Sequence, residues 1–207
     1  MSDQTNVSYE YDSDAAGHAD DFANRINENG PYIGRFTRAE DVTSAEKGTK
    51  GVYLEFSVEG GGKTNFTLYT KKGTGEIINV GWNKLNALMT IFNLKGLKAV
   101  PGKVQKFVDD ERVEEDGLVF PDLLEKDVGL ILQKELYTGQ DGTNRERMGL
   151  LMAFDPKTKL SASEIKERKV KPEKYEKAVK GLKTIDKRVQ KAAEPAQPAV
   201  GAPAGEY

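Results

Sequence analysis

The sequence predicts a mainly β domain that contains one internal helix and is followed by basic helices. Apolar and polar residues alternate through 52–58 and again through 64–70, and a period of two is typical of half-buried strands. Between 82 and 94 the apolar residues recur every three or four positions, which predicts an amphipathic helix. Segments 32–39, 128–137 and 147–154 predict three further strands. The predicted order is therefore three strands, one helix and two strands.

Composition narrows the functional classes. The chain has 207 residues, 37% hydrophobic and 31% charged, which predicts one main core in a soluble protein. No apolar run approaches the roughly 20 residues that span a bilayer, and residues 1–21 lack the features of a secretory signal, so we expect a cytoplasmic location and no membrane partner. With no cysteine and one histidine, disulfides, thiolate nucleophiles and Cys/His zinc sites are excluded. We expect no cofactor, and we interpret His18 as a solvated residue.

Charge is segregated along the chain, although the formal net charge is only −2. Residues 1–30 carry seven acidic residues and one arginine. Segment 31–107 is basic, with twelve basic and six acidic residues, whereas 108–156 is acidic, with five basic and thirteen acidic residues. Segment 157–193 is basic again, with thirteen basic and five acidic residues. Two basic segments could therefore meet a polyanion. We predict an acidic, largely disordered arm (1–29, with a short helix at 19–27), a domain (30–156), a basic helical extension (157–193) and a disordered Pro/Ala tail (194–207).

The stretch Ser57-Val-Glu-Gly-Gly-Gly-Lys-Thr64 contains a Gly-Lys-Thr like that of a phosphate-binding loop. Such a loop needs an additional glycine at its start and leads into a helix, whose first amides help to hold the phosphate. Here Ser57 replaces the first glycine, and residues 64–70 alternate as a strand. The three glycines therefore predict a hairpin turn and not a nucleotide site.

An acidic cluster occupies 109–116, within a segment (97–126) that we predict to be irregular. Its spacing does not match a calcium loop, and consecutive carboxylates usually form a solvated loop. We therefore predict no metal site here. A hydrolase or nuclease that uses these carboxylates with magnesium is kept as an alternative function.

Five strands with a helix between the third and fourth are the element order of an OB-fold, a small β-barrel whose exposed face often binds single-stranded nucleic acid. The polar faces of the central strands carry Tyr53 and Tyr69. Aromatic rings stack on bases at roughly 1–3 kcal/mol each, and cations neutralise phosphates. We therefore predict sequence-tolerant binding of single-stranded nucleic acid by Arg35, Arg38, Lys47, Lys50, Tyr53, Lys63, Tyr69, Lys71, Lys72 and Trp82.

The chain also resembles bacteriophage single-stranded-DNA-binding proteins of the OB-fold type, over about residues 30–185. The resemblance is carried by Gly34-Arg-Phe-Thr-Arg-Ala39, Lys47-Gly-Thr-Lys-Gly-Val-Tyr-Leu-Glu-Phe-Ser-Val58, Gly81-Trp-Asn-Lys-Leu-Asn-Ala-Leu-Met89, Ala153-Phe-Asp-Pro156 and Ser161-Ala-Ser-Glu164. It implies a protein that binds and protects single-stranded DNA in phage replication or recombination, in the host cytoplasm, beside replication or recombination proteins. Functionally related bacterial proteins end in a strongly acidic tail, whereas only Glu194 and Glu206 lie near this C-terminus. The acidic N-terminal arm could instead compete with DNA.

Basic helices are predicted after Pro156. Ser161 and Glu164 match a capping box, and Pro172 suits the first turn of a second helix, 172–192. We interpret that helix as packing on the domain or on another copy in preference to contacting DNA, which leaves a homo-oligomer open. Its apolar seam consists of Tyr175, Val179, Leu182, Ile185 and Val189.

Each proposed contact has a structural alternative. Tyr53 and Tyr69 could form a cross-strand pair, Trp82 could be a core anchor, and the lysines at the turns could serve solubility alone. At the level of the whole chain, the alternative is a protein-interaction or virion structural module that does not bind nucleic acid.

Overall fold

The computed structural model describes Tyr11, residues 25–108 and residues 111–188. Within these ranges the strands form one eight-stranded sheet, antiparallel except between the sixth and the eighth. The strands are β1 (Gly30–Thr43), β2 (Lys50–Val58), β3 (Lys63–Lys71), β4 (Val100–Val108), β5 (Glu111–Val119), β6 (Asp127–Thr138), β7 (Asn144–Phe154) and β8 (Ile185–Lys187). The helices of these ranges are α1 (Asn79–Ile91), α2 (Ala162–Lys166) and α3 (Glu173–Lys180). None of them is long and apolar enough to cross a membrane.

The long strand β1 organises the sheet. Its second half pairs with β2 from Gly34↔Val58 to Thr43↔Lys50, and its first half pairs with β6 from Gly30↔Leu132 to Arg35↔Asp127. A bulge between Phe36 and Arg38 interrupts the β1–β2 register, and such a bulge bends a strand so that its two halves can serve different neighbours. The mainly β prediction is confirmed, and the five predicted strands are β1, β2, β3, β6 and β7.

The glycine run between β2 and β3 forms the predicted hairpin turn. Gly60 and Gly61 have φ angles of 93° and 101°, a region that favours glycine. The amide of Val58 donates to the carbonyl of Gly62 at 2.8 Å. Because a strand and not a helix follows, the phosphate-loop interpretation is excluded on geometry as well.

The prediction of an irregular segment at 97–126 was wrong over 100–108 and 111–119. β4 and β5 form a regular hairpin from Val100↔Val119 to Val108↔Glu111, joined to β1 through the single pair Glu40↔Val119. Gly102 faces Gly117 across the hairpin. A Cβ on Gly102 would lie 2.7 Å from a methyl of Val119, so the valine occupies the space that the glycine leaves. The sequence did not predict β4 and β5, because they contain glycines and many charged residues. Alternation of apolar and polar residues can be recognised only where one face of a strand is apolar.

A closed barrel is not formed by hydrogen bonds among the described residues, since no ladder joins β3 to β7. Two other segments lie between β3 and β7 instead, and we call this boundary between the two strands the seam. At one end Ile26 is buried, donates its amide to the carbonyl of Lys63 at 2.8 Å, and lies beside a small cavity that Met148 of β7 also lines. At the other end α1 lies against both strands. Arg25–Asn27 is thus not helical as predicted, and the rest of the predicted arm helix lies outside the described residues.

Helix α1 spans the seam through close backbone contacts. A Cβ on Gly81 would lie 1.9 Å from the carbonyl oxygen of Tyr69 on β3, and the Lys84 ammonium donates to the carbonyl of Leu150 on β7. Burial lowers the pKa of Lys84, partly opposed by Glu135. The helix begins three residues before the predicted 82–94 and ends at Ile91, three residues before the predicted end. The fully buried core between helix and sheet includes Phe36, Phe56, Leu54, Leu88, Leu130 and Leu132.

The C-terminal segment follows the prediction at its start and departs from it later. Ser161 and Glu164 form the predicted capping box. The helix predicted at 172–192 is wrong over 181–188, because Gly181 ends α3 and Ile185–Lys187 then pairs with Glu135–Tyr137 of β6. β6 extends past the start of β1, so its unpaired edge is available to β8. Two residues of the apolar helix face predicted at 175–189 can be compared with the structure. The ring of Tyr175 packs edge-on against that of Phe154, with 4.9 Å between the centroids, whereas Val189 lies outside the described residues.

Candidate nucleic-acid interface

The outer face of β1, β2 and β3 carries most of the predicted site. Alternation sends Val52, Leu54 and Phe56 into the core, so the intervening residues face outward. Cross-strand register places the outward residues in rows that run from Arg35, Ser57 and Lys63 at one end to Lys50 and Lys71 at the other. Seven predicted residues lie on this face: Arg35, Arg38, Lys50, Tyr53, Lys63, Tyr69 and Lys71. Lys47 and Lys72 adjoin it just outside the strands, and Trp82 lies on α1.

The middle of this face is used by the fold itself. The Arg38 guanidinium pairs with Glu40 at 2.7 Å and Glu55 at 3.7 Å, and it donates to the carbonyl of Gln105 at 3.2 Å. It also covers the ring of Tyr53, 5.0 Å from the centroid. Arg38 is thus compensated by two carboxylates and Tyr53 is half-buried, so neither presents itself as a first contact for a ligand.

The end of the face at Arg35 and Lys63 carries two cations, of which one has a carboxylate partner. Arg35 pairs with Asp127 at 2.6 Å. The backbone of Lys63 pairs with Arg25, while its side chain is exposed and forms no ion pair with a described residue. At this end the Lys63 ammonium is therefore a positive charge without a carboxylate partner among the described residues.

Four lysines converge at the near end, which we call the cationic end. The loops at 44–49 and 72–78 touch there, since a Cβ on Gly73 would lie 2.6 Å from the carbonyl oxygen of Lys47. Lys50 lies directly opposite Lys71 across the β2–β3 ladder, and like charges in that position repel. Only Lys72, with Glu76 at 2.8 Å, has a carboxylate partner among the described residues. The cationic end consists of Lys47, Lys50, Lys71 and Lys72.

Aromatic rings adjoin the cationic end. Tyr69 is 43% exposed, and its cross-strand partner is Gly51, which has no side chain to cover it. The ammonium of Lys71 lies 6.0 Å from the centroid of the half-buried Trp82 ring, within cation–π range. The arrangement thus combines an exposed ring, a second ring held under a cation, and two opposed lysines.

Two apolar residues of this surface were missed from the sequence. Ile77 and Val80 are exposed, the latter by 68%, and they lie between Lys72 and Trp82 at the start of α1. The only signal was that the short run Ile77-Ile-Asn-Val80 precedes the helical pattern and belongs to no strong strand. They extend the apolar part of the candidate surface.

The acidic cluster does not assemble a metal site within the part of the chain that is described, where no three carboxylate or histidine ligands converge. Asp116 pairs with Lys103 at 2.8 Å, and Glu115 pairs with Lys106. Asp109 and Asp110 lie outside the described residues, as does His18. Two carboxylates of β5, those of Glu115 and Asp116, are therefore paired with lysines of β4.

A further group of charges on β6 stabilises the sheet away from the site. Burial opposes ionisation of Glu135, but hydrogen bonds from Arg147 and Lys187 outweigh it and lower its pKa. Arg147 also lies 5.1 Å from the ring centroid of Tyr137. Arg147 and Lys187 both pair with Glu135, whereas Lys47, Lys50 and Lys71 of the cationic end have no carboxylate partner among the described residues.

Comparisons with known proteins add no relative. No family model matches the chain. A search of curated proteins finds no match either.

Proposed function

We propose that this chain is a non-enzymatic protein that binds single-stranded DNA without sequence preference and protects it during phage DNA replication or recombination. The observation that carries the proposal is the cationic end, where Lys50 and Lys71 oppose each other beside the exposed ring of Tyr69. A phosphodiester strand supplies the anions that relieve this repulsion, and its bases supply faces for the ring.

The chemistry favours an unpaired strand over a duplex. A ring can stack on a base only when the base is accessible, and in a duplex the base faces are covered by their neighbours. Tyr69 and Trp82 offer rings, whereas the cationic end offers point charges that read no sequence. Binding should therefore be tolerant of sequence and sensitive to salt.

The proposed architecture is OB-like and only partly closed by hydrogen bonds. β1 pairs with β2 and β6, β2 with β3, and β6 with β7, and α1 lies between β3 and the later strands of the chain. This pairing supports an OB-like barrel whose last seam is filled by Ile26 and α1. The β4–β5 hairpin is then an insertion.

Titration of labelled oligonucleotides at several salt concentrations tests the function. We expect tighter binding to single strands than to duplex, with affinity that falls as salt rises. Lys71→Ala should reduce the salt slope by about 0.7, because one phosphate contact is lost. Lys103→Ala is the matched control, since Lys103 is exposed but paired with Asp116, and it should leave the slope unchanged.

Equal affinity for duplex and single strand, or affinity independent of salt, would contradict the proposal. In that case the interaction or virion structural module becomes the better description. Light scattering of the same samples reports the oligomeric state, and replication or recombination proteins are the partners to test first.

A further inference from the structure

A groove separates α1 from the C-terminal helices. It has a volume of about 360 Å³, and its lining includes Asn83, Asn86, Met152, Ser163, Lys166 and Lys174. This volume lies within the range of small-ligand sites, roughly 300–1,000 Å³. The groove thus has an apolar floor, two side-chain amides on one wall and two cations on the other.

The groove begins where the aromatic part of the candidate interface ends. Asn83 follows Trp82 directly, and the side-chain amide of Asn86 donates to the carbonyl of Trp82 at 2.8 Å. Asn83, Asn86 and Thr90 recur at three- and four-residue spacing, so they share one face of α1. With a rise of about 1.5 Å per residue, this face continues about 12 Å beyond Trp82. A strand that leaves the ring of Trp82 therefore meets the groove next.

Hydrogen bonds hold one of the two lysines in place. The Lys174 ammonium donates to the hydroxyl of Ser163 at 2.6 Å, and its backbone amide donates to the buried carboxylate of Glu164 at 2.8 Å. Neither Lys166 nor Lys174 forms an ion pair with a described residue. Two exposed cations therefore line one wall of the groove. The charge of Lys174 also acts on the Glu164 carboxylate and helps to lower its pKa, so Lys166 is the less compensated of the two.

We propose that this groove binds the continuation of the same single strand, with Lys166 and Lys174 on its phosphates and the amides of Asn83 and Asn86 on base edges. The inference rests on the proposed function and extends it by a second subsite. An amide presents both a donor and an acceptor, so it can contact any base without imposing a sequence. The charge of the two lysines favours a polyanion over a neutral peptide as the occupant.

Oligonucleotides of two lengths separate the two subsites. Lengths of about 5 and about 15 nucleotides lie near the lower and upper ends of the site sizes of single OB-folds. For the full chain we expect Lys166→Ala combined with Lys174→Ala to leave the short oligonucleotide unaffected. For the long one, affinity should fall and the salt slope should decrease by about 1.4, which corresponds to two phosphates.

The matched control is Lys171→Ala combined with Lys180→Ala. It removes the same charge from exposed lysines that lie outside the groove lining and are unpaired among the described residues. Ala87→Leu, on the α1 wall, narrows the groove without changing charge and should weaken binding of the long oligonucleotide alone. Thermal unfolding checks that each variant is folded.

The outcomes distinguish the two proposals. If wild-type protein binds neither length, the proposed function fails. If it binds both lengths but the two double variants lose equal affinity, or if Ala87→Leu has no effect, the second subsite is refuted while the first stands. An acidic peptide that displaced the long oligonucleotide from the groove without displacing the short one would identify a protein as the occupant and overturn the inference.

Discussion

At the scale of single residues, exposure separates the aromatic side chains that could contact a base from those that stabilise the fold. Tyr53 and Tyr69 are diagonal neighbours on one face, since Tyr53 faces Thr67 and Tyr69 faces Gly51. Arg38 covers the first ring, whereas the second is 43% exposed. Tyr53 therefore stabilises the fold, whereas the ring of Tyr69 on the same surface is accessible to a base.

Replacing the exposed ring should weaken binding without changing its response to salt. We expect Tyr69→Ala to cost about 1–3 kcal/mol of binding free energy at an unchanged salt slope, because stacking releases no counterions. Tyr137→Ala is the control, since its half-buried ring lies under Arg147 on β6. Fluorescence titration at three salt concentrations measures both quantities, and equal losses in the two variants would show that the wrong face was chosen.

Glu164 is the residue on which the C-terminal segment depends. It is fully buried, and its carboxylate accepts hydrogen bonds from the amides of Ser161 and Lys174 at 2.8 Å each. Burial opposes its ionisation, but these hydrogen bonds outweigh that effect and lower its pKa. The carboxylate thus ties the start of α2 to the start of α3.

The lowered pKa predicts a pH-dependent contribution to stability. Because the folded pKa lies below the unfolded one, the stabilisation is complete above the ordinary glutamate range and is lost as pH falls through that range towards the folded pKa. We expect Glu164→Gln to lower the free energy of unfolding by about 1–3 kcal/mol at neutral pH, and the difference to shrink in acid. Denaturant unfolding at several pH values measures it. Glu176→Gln, exposed on α3, should show no such trend.

At the scale of elements, the position of α1 depends on one glycine. Gly81 is buried against β3, and no side chain fits there because a Cβ would lie 1.9 Å from the carbonyl oxygen of Tyr69. The contact brings Trp82 beside Lys71 and directs the outward face of α1 toward the groove. Both proposed subsites therefore depend on how closely α1 approaches the sheet.

Gly81→Ala tests that approach. Within a helix this change would ordinarily stabilise by up to about 1 kcal/mol, but here the displacement of backbone should cost about 1–3 kcal/mol of unfolding free energy. Gly96→Ala is the control, since nothing lies within 4 Å of its position and its φ is not positive. A stabilised Gly81→Ala variant in thermal and denaturant unfolding would contradict the described contact.

At the scale of the whole molecule, no ladder of backbone hydrogen bonds joins β3 to β7 among the described residues, and side chains and neighbouring segments fill this seam instead. Ile26 fills one end and is 5% exposed. Nearby, Asn29 accepts a hydrogen bond from the amide of Lys134 at 2.6 Å and donates to the hydroxyl of Thr184 at 3.0 Å. The segment before β1 therefore fastens β3, β6 and the approach to β8 to one another.

Removal of the seam side chain should destabilise the entire domain. We expect Ile26→Ala to cost about 2–5 kcal/mol, the range for a buried large-to-small change. Ile33→Ala is the matched control, because Ile33 on β1 is 49% exposed and should lose less than about 1 kcal/mol. Equal losses in denaturant unfolding would show that the segment before β1 does not support the core.

The sequence by itself determined the elements whose chemistry is local. Alternation determined β2 and β3, the glycines determined the turn between them, and Ser161 with Glu164 determined the start of α2. In each case the cause is a period, a φ preference or a cap formed by neighbours in the chain. These features do not require knowledge of distant residues.

Only the tertiary structure decided which charges are available and where strands without an apolar face pair. In the sequence, Arg38 and Lys71 are both basic residues of predicted strands. In the structure, Arg38 is surrounded by Glu40, Glu55 and the carbonyl of Gln105. Lys71 instead has a second lysine opposite it. Likewise β8 forms because β6 has an unpaired edge. Compensation of a charge and completion of an edge depend on groups brought together from distant parts of the chain, so no local pattern contains them.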